Sequence, residues 1–132
     1  MNQLYTPARQ KFLTAQINWD TDDIRMVLIK GTYIFETNHE FLSDILVGDR
    51  IATADVPTEF SSAGYAQGGQ AQFLNLVSAV PVVAVALYVN TGVEATNSLV
   101  AFYDDIDGFP FTPTGLDYFI AQDIVFGGFF RL

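Results

Sequence analysis

Residues 73–89 read FLNLVSAVPVVAVALYV, seventeen positions without a charge, and the way this run is taken decides the fold. As one helix it stands at the lower length limit for crossing a bilayer. Six of its residues are valine, which suits a pleated, packed surface, and Pro81 stands at its centre, where a helix interior tolerates it poorly. The nearest basic residues on either side are Arg50 and Arg131, so no flanking cation sets a topology. The run reads instead as two buried strands meeting at Ala79-Val80-Pro81, and no membrane segment is expected.

Working outward, strands are expected at 71–77, 82–90 and 98–104, with Thr91-Gly92-Val93-Glu94-Ala95-Thr96-Asn97 joining the last pair. Further strands fall at 24–30, 50–56, 117–125 and 129–132. Thr6-Pro7 resembles an N-cap followed by proline at the first helical position, and predicts a short helix near 7–16. Asn38 can cap a second helical turn over 39–46, with Phe41, Leu42 and Ile45 on one face. Residues 60–72, with three glycines, predict a hairpin loop with a bulge or an exposed arm. Many short strands with little helix predict a single mainly β domain over 1–132. Its expected architecture is an antiparallel β-sandwich or barrel with one or two short helices.

Half of the 132 residues are hydrophobic and only 16% are charged, where about a quarter is usual for a soluble domain. Such a balance predicts apolar surface that a partner covers. Fifteen acidic residues face six basic ones, for a net charge of −9. The 80 residues between Arg50 and Arg131 hold no Lys or Arg but carry Asp55, Glu59, Glu94, Asp104, Asp105, Asp107, Asp117 and Asp123. Phosphate recognition needs cations or a glycine nest opening a helix, so nucleotides, nucleic acid and acidic lipid are excluded as partners. Cysteine is absent, which removes disulfides and thiolate chemistry. No apolar stretch follows the first residues, and synthesis in the cytoplasm is expected.

Little else in the chain carries chemistry. His39 is the single histidine and reads as a local hydrogen-bonding residue, because no two-histidine metal site or Gly-x-Ser-x-Gly elbow exists. Gly64, Gly68 and Gly69 match neither a dinucleotide fingerprint nor a Walker loop. Asp104-Asp105-Ile106-Asp107-Gly108 fails as a calcium loop, since Tyr103 takes the first ligand position and Thr114 stands where a glutamate is required. Glu36, Glu40, Glu59 and Glu94 could serve a glycosidase only if two of them met, and nothing in the sequence brings two together. No catalytic, cofactor-binding or metal-binding residue is therefore expected, and no cofactor. Trp19, between Asn18 and Asp20, is either a core anchor or an interface anchor.

A set of short motifs runs the length of the chain: Leu4-Tyr5, Phe12-Leu13, Ile17-x-Trp19, Asp23-Ile24-Arg25-x-x-Leu28 and Thr32-Tyr33-x-Phe35. They continue with His39-x-Phe41-Leu42-Ser43-Asp44-Ile45, Gly48-x-Arg50-Ile51-Ala52-Thr53, Tyr88-x-x-Thr91-Gly92, Leu99-Val100-Ala101-Phe102, Pro110-x-Thr112-Pro113 and Phe130-Arg131-Leu132. On these the chain resembles a family of small structural proteins of tailed-bacteriophage particles. Residues 57–82 match least. The resemblance implies a β-rich virion component and no enzyme. Because a strongly acidic protein is repelled by packaged DNA, the expected place is the outer capsid surface, as a decoration or cement protein. The expected partners are the major capsid protein and further copies of the chain, in a trimer. Tyr5, Trp19, Phe129, Phe130 and Leu132 are the expected interface anchors, since aromatic residues concentrate interface energy. A tail or neck component, or a carbohydrate-binding module, are the alternatives.

Overall fold

A computed structural model describes residues 2–121 and 128–132. In chain order it shows β1 (Gln3–Leu4), α1 (Thr6–Leu13), β2 (Ile24–Ile29), β3 (Arg50–Asp55), β4 (Phe60–Ser62) and β5 (Tyr65–Gln67). Then follow β6 (Ala71–Phe73), β7 (Ala84–Val89), β8 (Leu99–Tyr103), β9 (Tyr118–Ile120) and β10 (Phe130–Arg131). The chain is mainly β, with antiparallel sheets in a sandwich-like arrangement. The main sheet runs β1-β8-β7-β2-β3; a second runs β10-β5-β4, and β6 pairs with β9 as a two-stranded ribbon.

All six residues of β7 and all five of β8 are buried, which is why these segments read as continuous apolar runs with no polar alternation. Successive side chains still point to opposite faces. Leu28, Val85 and Tyr103 line up across β2, β7 and β8 on one face, and Val27, Ala86 and Phe102 on the other. The Phe102 face is covered by the segment after β2: Phe35 stacks on Phe102 at 4.6 Å between ring centres, Tyr33 lies 5.9 Å away, and Tyr5 packs on Phe35 at 5.2 Å. The Tyr103 face is covered by the second sheet. There the Tyr103 hydroxyl donates to the Phe129 carbonyl at 2.7 Å, and Trp19 packs against Phe129 and Phe130 at 5.8 and 5.2 Å. Phe12 joins from α1, 5.7 Å from Phe130.

Several expected elements are shorter than their sequence signals, each because a local or tertiary contact takes over. Tyr5, not Thr6, is the residue before the helix; the Thr6 hydroxyl pairs with that of Thr37 at 3.0 Å. The helix ends at Leu13, short of residue 16, as the Thr14 hydroxyl donates back to the Gln10 carbonyl and Ala15 takes a φ of 59°. In place of one turn over 39–46 there are two 3-10 turns, Leu42–Asp44 and Val47–Asp49. Phe41 forms a bridge with Ser98, and the Leu42 amide donates to Asn97, so the backbone before them is drawn into the sheet edge. The strand expected at 71–77 stops at Phe73, because Asn75 takes a φ of 50° and its amide donates to Asp117 Oδ1 at 2.8 Å. Of the strand expected at 117–125, Tyr118–Ile120 is found and 122–125 lie outside the described residues.

Residues 60–72 hold a tight hairpin, not a loose arm. Ala63 and Gly64 connect β4 to β5 with φ of 55° and 83°, the paired positive values of the two-residue turn whose twist matches the strands. The hairpin seats on β10, where Phe130 faces Ala66. Beside it, a Cβ added to Gly128 would lie 2.6 Å from the Ala66 carbonyl oxygen. Accordingly, Gly128→Ala should lower the midpoint of urea denaturation, and Trp19→Ala should cost about 3–5 kcal/mol, the range for removing a large buried aromatic. A Trp19→Ala loss below about 1 kcal/mol would show that this cluster is not a core.

Candidate functional site

Four of the five expected interface anchors belong to the core. Tyr5 and Phe129 are fully buried, Trp19 is 5% exposed and Phe130 is 7% exposed. The structure brings Trp19, Phe129 and Phe130 together, but against one another, and the indole N–H of Trp19 donates to the Gln67 carbonyl at 2.9 Å. Only Leu132, at 65% exposed, remains open to a partner. These residues were expected as interface anchors; the physical correction is that Trp19, Phe129 and Phe130 close the Tyr103 face of the main sheet, and Tyr5 packs on Phe35 on the other face. A groove of about 490 Å³ passes beside them, lined in part by Phe12, Ile17, Asp20, Ser61 and Leu132. Trp19 also lines the groove but is only 5% exposed, which leaves little ring surface for a sugar to stack on.

Tyr5 heads a partly buried polar chain. Its hydroxyl lies 3.1 Å from that of Tyr33, which lies 2.7 Å from His39 Nδ1. Burial pushes the Tyr5 hydroxyl well above the usual phenol range and that of Tyr33 up to about 12, so both stay neutral at physiological pH. Burial likewise opposes the charge of Asp44. The amides of Glu40 and Phe41, together with His39, outweigh it and hold this carboxyl below its ordinary value.

One cluster has no counterpart in the sequence reading. Asp23, Asp55 and Glu59 place carboxylate oxygens within 4.8 Å of one another. Antiparallel pairing produces it: Arg25 of β2 faces Asp55 at the end of β3, and Asp23 directly precedes β2. Only the knowledge that β2 pairs with β3 would have revealed it. Much of its acceptor capacity is used within the chain, since Glu59 Oε1 accepts from the Ile24 amide at 3.0 Å and Asp23 Oδ2 accepts from Asn90 at 2.9 Å. Arg25 Nε lies 3.4 Å from Asp23, a cation already seated among the acids. The sequence-flagged turn at 104–108 does a different job: the Asn2 side chain accepts from the amides of Asp104 and Asp105 at 3.1 and 3.0 Å, tying this turn to β1.

The basic residues are largely engaged inside the molecule. Arg50 donates to the carbonyls of Ile45 and Leu42 and pairs with Glu94 at 2.7 Å. Lys11 reaches Glu40 at 3.0 Å and Ser98 at 2.8 Å, and Arg131 lies over the Tyr65 ring. What faces outward is therefore weighted toward carboxylate.

Large apolar side chains also face outward, and the β6–β9 ribbon gathers several. Leu74 is 61% exposed, Val77 71%, Leu116 66% and Phe119 53%. In the ribbon Gln72 faces Phe119 while Ala71 and Ile120 turn inward. A recess next to Phe119 is lined by Asp105, Asp107 and Phe109. Among the described residues no helix is long and apolar enough to cross a membrane.

Comparison with known protein families, with curated proteins and with solved structures finds no match for this chain.

The carboxylate cluster makes a pH prediction. Burial first, then the hydrogen bond and charge of Asp23 and the charge of Glu59, raise the pKa of Asp55; the attraction of Arg25 is the smallest influence. A raised folded-state pKa contributes stability at low pH that is lost as pH rises through it. Asp55→Asn keeps the neutral form, so it should melt higher than wild type near neutral pH. The two should converge below the ordinary carboxylate range. Thermal melts across that interval check it, and a lower melting temperature for the variant at neutral pH would refute the repulsion.

Proposed function

We propose that this chain is a non-enzymatic capsid decoration, or cement, protein of a tailed bacteriophage. It is made in the host cytoplasm, seats as a trimer on the outer surface of the capsid, binds the major capsid protein and bridges neighbouring subunits. The observation that carries this reading is the pairing of a small, well-packed β framework with large apolar side chains left at its surface, Leu74, Val77, Leu116 and Phe119 among them. Exposed apolar patches mark surfaces that a partner covers. The charge of −9 supports an outer position, because packaged DNA repels it, and the motif resemblance set out above supports a virion role.

The mechanism is mechanical. A protein bound across subunits adds interface that must be broken before the shell can open, and so stabilises the closed shell by mass action. Trimeric seating multiplies contacts that are individually weak. With Tyr5, Trp19, Phe129 and Phe130 in the core, the bridging contacts come from outward-facing side chains of the sheets and turns, with Leu132 the one expected anchor still open to a partner.

Particles lacking the protein should assemble but lose infectivity sooner on heating and on salt shock than complete particles. In purified particles its copy number should stand in a fixed, high ratio to the major capsid protein. Heat resistance equal to that of complete particles, with only a few copies per particle, would replace this reading with a tail or neck component.

A further inference from the structure

We infer that the outer face of the β6–β9 ribbon is the docking surface, and that its partner offers an apolar groove rimmed by lysine and arginine. The inference rests on the assembly reading above and names the surface and the chemistry of the partner. Alternation along the ribbon decides which side chains are available. Ala71 faces Ile120 and Phe73 faces Tyr118 on the inward side, while Gln72 and Phe119 point out. Leu74 is the next outward residue. The ribbon continues beyond it through the Leu76 amide donating to the Leu116 carbonyl at 3.0 Å and the Gly115 amide donating to Leu76 at 2.6 Å, which sets Val77 and Leu116 in the same extension.

This apolar face is held in place before any partner arrives. Phe73, Leu76 and Ile120 beneath it are buried, Tyr118 packs on Phe111 at 4.9 Å, and the Asn75 amide is tied to Asp117. A face already ordered loses little conformational freedom on binding. Phe119 is its aromatic anchor, the residue type that dominates interface energy when it fills a pocket.

Charge selects the partner. Asp117 lies on the ribbon, and Asp105 and Asp107 line the recess beside Phe119. No Lys or Arg occurs anywhere between Arg50 and Arg131. Two copies of this face brought together would oppose carboxylate with carboxylate, which disfavours the contact. The complementary surface is therefore a different protein with cations around an apolar groove, and contacts between copies of this chain use other surfaces.

The test is co-sedimentation with shells assembled from the major capsid protein alone, at low and high salt. Wild type should bind, and more weakly as salt rises. The pair Leu116→Ser and Phe119→Ser should lose about thirtyfold or more in affinity, the loss expected at interface hot spots. The pair Asp105→Asn and Asp107→Asn should lose about tenfold at low salt and match wild type at high salt, where screening removes the rim's contribution. Thermal melts report whether each variant folds. Hydrogen exchange of the wild-type protein on shells gives a reading that needs no variant, with protection expected at 72–77 and 114–120. Wild-type binding without loss in either pair, or protection confined to other segments, overturns the docking face and leaves the capsid reading standing. Failure of wild type to bind shells overturns the capsid reading and this surface with it. If the Leu116/Phe119 pair lowers the mass of the free protein in light scattering, the face joins copies of the chain and the basic-rimmed partner is wrong.

Discussion

Strands β7 and β8 are shielded from water on both faces, and the rest of the molecule is organised around providing the two covers. One cover is made by the segment after β2, with Tyr33 and Phe35 against Phe102. The other is made by Trp19 and by the β10-β5-β4 sheet, with Phe129 closing over Tyr103 through the hydroxyl-to-carbonyl bond. Tyr103 is a large polar-tipped ring with no exposure to spare, so its partner is obligatory: a buried hydroxyl without one would carry its full desolvation cost. That bond ties β8 of the main sheet to Phe129.

The same demand explains why the aromatics near the ends are core residues. A main sheet wet on one side could have left Phe129 and Phe130 free for a partner. A sheet buried on both sides cannot, and the burden of binding moves to side chains that the covers do not need. Leu74 and Phe119, at the β6–β9 ribbon, are among those that face solvent.

Electrostatics follows from how few cations the chain has. Arg50 laces the 3-10 turns at 42–49 to the loop before β8, and Lys11 holds α1 to Glu40 and Ser98. Such partly buried, hydrogen-bonded cations have structural partners and project little field outward. The acids outnumber them and stay at the surface, and the result is a molecule whose apolar contacts have an acidic surround. Asp23, Asp55 and Glu59 show the local cost of this composition, with Asp55 raised by its neighbours.

The β class and the centres of the main strands were legible from the sequence, because Ile24–Ile29, Ala84–Val89 and Leu99–Tyr103 are apolar at every or nearly every position and a segment buried on both faces must be so. The charge balance and the lack of phosphate chemistry were equally plain, since counting needs no geometry. Which strands pair was not legible, and everything that depends on pairing went with it. The meeting of Asp23 with Asp55 requires β2 beside β3, the burial of Trp19 requires β10 and the β4–β5 hairpin above the sheet, and the outward face of Phe119 requires the register of β9 on β6. A tryptophan between two polar residues has the same local pattern in a core as at an interface; only contacts from residues about 110 positions away chose between them.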